Sequence, residues 1–266
     1  MTTVFFLFFL HLALGLMLAL AFVTERAGSR FFKFCAAVAA FLAVCALYLL
    51  LRRFGTAGGA GAPGGAQYRL LLGAGLGSAV GMVLYNRAWH FGWRRLRQPS
   101  LLLTLLLGTL AIVLSAPVTQ RALITASALT SVLLLGAAGS AMILGHYYLV
   151  VLDLPIAALR KLTLLLVAGL VLRSLVVGLS LLGPVHAGFE EARLVAAGLW
   201  SADGVFVWMR LLFGIAGPAS LIGFIWKTVE IRSTQSATGI LYVQLFLVLS
   251  GELLATYLRV AAGLPL

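Results

Sequence analysis

Charge is what this sequence has least of. Only 7 of its 266 residues are acidic and charged residues make up 10% of the chain, too few to cover a water-soluble fold of this length. Cysteine is almost as scarce. Cys35 and Cys45 fall in one predicted helix, about 15 Å apart along its axis, which excludes a bond between them. Without a Cys-x-x-Cys pair the chain lacks the ligand spacing of an iron–sulfur or zinc site. No Gly-x-x-x-x-Gly-Lys loop, His-Glu-x-x-His helix or Asp-x-x-x-Asp pair is present, which sets aside nucleotide binding, metalloprotease and prenyltransferase chemistry. Gly139-Ser140 and His146 lie six residues apart on one predicted helix without a Gly-x-Ser-Gly context, so a serine–histidine hydrolase is discounted too.

What fills the chain instead is apolar. It is 62% hydrophobic, with a mean hydropathy of +1.11. Runs long enough to cross a hydrocarbon core of about 30 Å recur from end to end. The spans are expected at 4–23, 35–51, 70–85, 101–118, 127–151, 162–182, 205–226 and 237–260. Each must be a helix, because lipid offers the backbone no partner but itself. The fold class expected is therefore all-α, a polytopic bundle of about eight spans forming a single transmembrane domain over 1–266. The first run lacks a preceding basic residue and is long for a signal peptide, so it is read as a retained span. No residue-level internal repeat is evident.

The net charge of +12 would suggest nucleic acid in a soluble protein, but here the cations sit in short loops and report topology. With the N-terminus outside, Arg26, Arg30, Lys33, Arg87, Arg94, Arg95, Arg97, Arg160, Lys161, Lys227 and Arg232 face the cytoplasm. Arg52, Arg53, Arg69, Arg121, Arg193 and Arg259 face outward. The majority favours N-out and C-out, although the Arg52–Arg53 pair dissents. The bacterial inner (cytoplasmic) membrane is the expected location, with the lipid bilayer as a partner and no nucleic acid. Gly73, Gly77 and Gly81 in span three, and Gly136, Gly139, Ser140 and Gly145 in span five, predict small-residue packing seams, with span four facing one of them.

Ionisable groups within spans are costly unless paired or wet, which makes them the functional candidates. His11, Arg173, Arg210 and Glu252 all fall within about 8 Å of the expected bilayer centre at about 1.5 Å per residue. One reading of this layer is structural: a carboxylate neutralised by Arg210 or Arg173. Another is chemical: Glu252 and His11 exchange the protons of a quinone whose head group Arg210 and Arg173 help to bind. The remaining histidines open a third. His90, in Trp89-His90-Phe91-Gly92-Trp93, and His146, before Tyr147-Tyr148, lie toward one face, with His11 and His186 toward the other. Two histidine pairs at two depths would suit haem b. Against this, aromatics beside His90 and His146 also describe an interfacial belt, and Asp153 and Pro155 a helix exit. Pro218 predicts a kink beside Arg210. The segment Gly183 to Gly204, with Glu190, Glu191 and Arg193, is expected to hold an amphipathic turn, and the polar run Arg232 to Thr238 to cap the last span.

The Arg-bearing span seven and Ser250-Gly251-Glu252-Leu253-Leu254 in the closing span resemble the membrane anchor of dimethyl-sulfoxide-reductase and polysulfide-reductase type complexes. The resemblance implies a subunit that binds menaquinone or ubiquinone and exchanges electrons with a peripheral iron–sulfur or cytochrome subunit of a redox complex. It carries over Glu252, with Arg210 as neighbour. The family's His-Leu-Gly-x-Pro motif has no counterpart here; the Trp-His-Phe-Gly-Trp segment comes one span later and lacks the proline. A secondary transporter or a purely structural subunit would place the same charges in the same spans.

Overall fold

A computed structural model of the chain describes residues 1–55, 65–117, 121–151, 154, 156–187, 204–261 and 263, apart from the side chains of 182–187. Eight helices in it are long and apolar enough to cross a membrane, and no strand occurs among the described residues. They are α1 (Thr2–Leu20), α2 (Ser29–Phe54), α3 (Gly65–His90), α4 (Arg94–Ser115), α5 (Arg121–Val150), α6 (Ala157–Ala187), α7 (Gly204–Glu230) and α8 (Thr234–Ala261). The chain is thus an all-α bundle of eight membrane-compatible helices. Several helices overrun the expected spans, since a helix continues into the polar interface where its ends find water. His90, expected in a loop, is the last residue of α3, and the backbone at His186 is still helical.

The packing divides into two four-helix rings. In the first, α1 packs on α2, α2 on α3, α3 on α4, and α4 closes on α1; α5 to α8 repeat the circuit. Connectivity repeats although residues do not, because each ring needs only short antiparallel connections and apolar faces. The rings join where α1 meets α5. There Gly15 and Gly136 face each other so closely that a Cβ on either would overlap the other helix's backbone. This is a small-residue crossing of the kind that lets helix backbones approach within lipid.

Of the expected seams, the one on α5 is shared. Gly136 and Gly139 meet α1, whereas Gly145 meets Thr238 and Leu241 of α8. On α3, Gly77 and Gly81 receive Leu107 and Thr104 of α4, while Gly73 has no neighbour within 4 Å. The outer surfaces carry large apolar side chains such as Phe41 and Leu106, 68% and 70% exposed. Scattered so widely and on so many helices, they match a lipid-facing exterior rather than one docking patch.

Cross-links mark the two ends of the bundle. At one end, where α1, α3, α5 and α7 begin, Gln67 Nε2 donates to Leu114 O (2.8 Å) and Arg259 Nη2 to Ser115 O (3.4 Å). At the other, Asn86 Nδ2 donates to Lys33 O (2.7 Å). There Arg97 donates to both carboxylate oxygens of Glu25 (3.2 Å) while lying 3.7 Å from the Trp89 ring centroid. The second end carries the eleven-cation set and is called the basic end below; the first is the amino-terminal end.

Candidate functional site

The second ring encloses charge. Arg173 of α6, Arg210 of α7 and Glu252 of α8 are among the most buried side chains of the protein, at 2%, 0% and 0% exposure. Arg173 Nε and Nη2 each donate to one Glu252 oxygen at 2.9 Å, a two-point guanidinium–carboxylate pair. Arg210 Nη2 donates to Oε1, also at 2.9 Å. The remaining reach of Arg173 goes to α5, where Nη1 donates to the Ser127 carbonyl (2.9 Å) and hydroxyl (2.7 Å). The buried Ser131 hydroxyl lines a small cavity beside this pair and has no hydrogen-bond partner among the described residues. One acid thus ties three helices together, and one arginine ties them to a fourth.

Arg210 is held differently. Its Nε and Nη1, although buried, have no hydrogen-bond partner among the described residues. Immediately after it, α7 departs from α-helical bonding: Leu212–Ala216 forms a π-helical segment before the α-helix resumes at Gly217 with Pro218 in its first turn. The proline has no N–H to give Gly214, and the expected kink is taken up as this local widening. Gly214 sits inside it. A Cβ there would collide with the Arg210 guanidinium and approach Gly251 of α8, so two glycines make the space in which the arginine lies.

His11 of α1 is buried at 3% exposure, with neither ring nitrogen hydrogen-bonded. It borders the same region: a small cavity between α1, α5, α6 and α8 is lined by His11, Ser127, Arg173 and Arg259 among others. Four sequence candidates, His11, Arg173, Arg210 and Glu252, are therefore brought into one neighbourhood. The others are not. His90 and His146 are both exposed, on different rings, and His146 Nδ1 is 3.2 Å from the Tyr242 hydroxyl. The His186 side chain, Asp153, Pro155, Glu190, Glu191 and Arg193 lie outside the described residues.

Sequence reasoning missed Ser127, Ser131 and Arg259 as members of the site. Serine is too common on membrane helices to stand out, and Arg259 reads as an interfacial anchor. The corresponding interior of the first ring is apolar, lined by Leu10, Ala46, Leu71 and Ala111. Among the described residues only one ring of the two is built around charge, which marks that charge as more than a requirement of the architecture. No family model matches the sequence, and neither a curated protein nor a solved structure matches it.

Proposed function

We propose that this integral membrane protein is the quinone-interacting subunit of an electron-transfer complex, with the Arg173–Glu252–Arg210 cluster as its binding centre. The observation that carries the reading is Arg210: a guanidinium with two buried nitrogens, Nε and Nη1, whose N–H groups find no acceptor among the described residues. Unmet donors at a buried charge are costly. A quinone carbonyl is an acceptor without charge that partitions into lipid, and it would fill that need. The π-helical segment beside Arg210 supports it, since such distortions cluster at functional positions.

The roles follow from the bonds. Glu252 has both oxygens committed to arginine donors, so it fixes the guanidinium groups in place. His11, with two uncommitted nitrogens, is the group available to pass a proton. The cavity beside His11 admits only a water-sized species and has no α7 residue in its lining, so a ring that reaches Arg210 needs space that the helices would have to open. Electrons pass to or from a peripheral iron–sulfur or cytochrome subunit, whose docking surface is the basic end, placed in the cytoplasm by the N-out orientation.

The test is chemical. Quinone extracted from the protein purified in mild detergent is measured against the quinone-to-phospholipid ratio of the parent membrane. Enrichment in the wild type that is lost in Arg210→Gln supports the assignment. A ratio equal to that of the membrane, or equal in both proteins, overturns it.

A further inference from the structure

The cavity next to His11 is small, ≈ 10 Å³, room for a single water-sized occupant. Its lining residues and the Glu252 carboxylate that Arg173 binds leave donors over. Both Glu252 oxygens already accept from arginine, and the Ser127 carbonyl accepts from Arg173. Thr256 Oγ1 gives its proton to the Glu252 carbonyl (2.8 Å). Ser127 Oγ accepts from Arg173 Nη1, which leaves its own O–H to donate. His11 contributes one more N–H in its neutral form. Arg259 contributes a guanidinium whose bond to Ser115 O, at 3.4 Å, is long.

Charge is unbalanced in the same direction. Arg173 and Arg259 border the cavity and repel each other electrostatically, and the fields of both reach His11. With Arg210 included, three guanidinium groups stand against the single carboxylate of Glu252 among the described residues. Like charges at low dielectric repel far more strongly than in water, and a water molecule offers no charge to offset them. A small anion does.

The geometry points to a binding site for a compact monovalent inorganic anion, of the size and chemistry of chloride, held between Arg259, Arg173, Ser127 and His11. Such an ion neutralises the excess of the cluster and accepts from the donors left over. It enters from the amino-terminal end, where Arg259 is only partly buried.

The experiment is a thermal-unfolding titration of the full chain in detergent, with chloride replacing gluconate at constant ionic strength. Gluconate is too bulky for the cavity, so the readout separates site binding from screening. The expected result is a saturable rise in unfolding midpoint, reproduced by bromide. Arg259→Gln should raise the half-saturating concentration about ten-fold or more, the loss of one charge-assisted hydrogen bond. Arg259→Lys, which keeps the charge, and Arg53→Gln, an exposed charge at the same end, should stay within a few-fold of wild type. If Arg259→Gln does not fold, Ser127→Ala makes the same comparison. A midpoint insensitive to halide, or an unchanged titration in the site variant, overturns the proposal. No quinone enters the measurement, so the result stands apart from the functional reading.

Discussion

Arg173 and Glu252, 79 positions apart in sequence, meet edge to edge: Nε to Oε1 and Nη2 to Oε2, each at 2.9 Å. This pairing, joined by Arg210, makes the second ring an electrostatic assembly as well as an apolar one. The pair was separated by more than half of the ring's residues before folding, so its formation couples α6 to α8 at the point where α7 is distorted.

Removing the acid should therefore destabilise the protein. Glu252→Gln removes the carboxylate that both buried guanidinium groups pair with, a loss of about 3–5 kcal/mol for breaking a buried pair from one side. Thermal unfolding in detergent should show a clear fall in midpoint. The triple change Glu252→Leu, Arg173→Met and Arg210→Met, which removes all charge at similar volume, should recover most of it. A triple variant as unstable as Glu252→Gln would show that the charges are not what the single change disturbs.

Gly214→Ala should act first on Arg210, and more weakly on the contact with Gly251 of α8. The new methyl occupies the guanidinium's place, so the bond to Glu252 is lost and bound quinone with it, at a cost of about 1–3 kcal/mol for overpacking. Gly178→Ala, with open space around its Cβ, provides the contrast and should leave both stability and quinone content unchanged. Equal quinone in the two variants would separate the π-helical segment from binding.

The joint between the rings depends on Gly15 and Gly136. Their backbones lie too close for any side chain, so Gly136→Val should force α1 from α5 and cost more than the same change at Gly73, which has no neighbour within 4 Å. Detergent-resistant folding, read by size-exclusion profile and unfolding midpoint, should fail for the first and survive for the second.

Orientation is checked by labelling. In a background with Cys35 and Cys45 replaced by alanine, a membrane-impermeant maleimide applied to intact cells should react at Arg53→Cys and not at Arg95→Cys. Both positions are exposed, so the reverse pattern would place the basic end outside and reverse the N-out assignment.

At the basic end, the Trp89 ring stacks on Phe32 at 4.4 Å and carries Arg97 on its face. Trp89→Ala should cost about 3–5 kcal/mol, as large-to-small changes of buried aromatics do. Arg97→Gln should cost less, because its partner Glu25 is mostly exposed and such pairs contribute little. A larger effect for Arg97→Gln in the unfolding midpoint would assign the stability of this corner to charge instead of packing.

The sequence by itself determined that the chain is helical and built to lie in a membrane, because the length and apolarity of its runs leave the backbone no alternative there. It also determined which four ionisable residues would be conspicuous, since charge in a span is rare enough to be noticed one residue at a time. What only the tertiary structure decided was which of them touch. Depth along a helix is legible in sequence, but rotation about its axis and the choice of neighbour are set by how side chains of different helices interlock. That is why Arg173 pairs with Glu252 through both oxygens and His11 stands beside them unpaired. It is also why Ser127 and Arg259, unremarkable in sequence, complete the cavity, while His90 and His146 face outward at the ends of their helices. The division into two rings was illegible for the same reason: each ring repeats a pattern of contacts, and contacts between apolar faces are satisfied by many different residues.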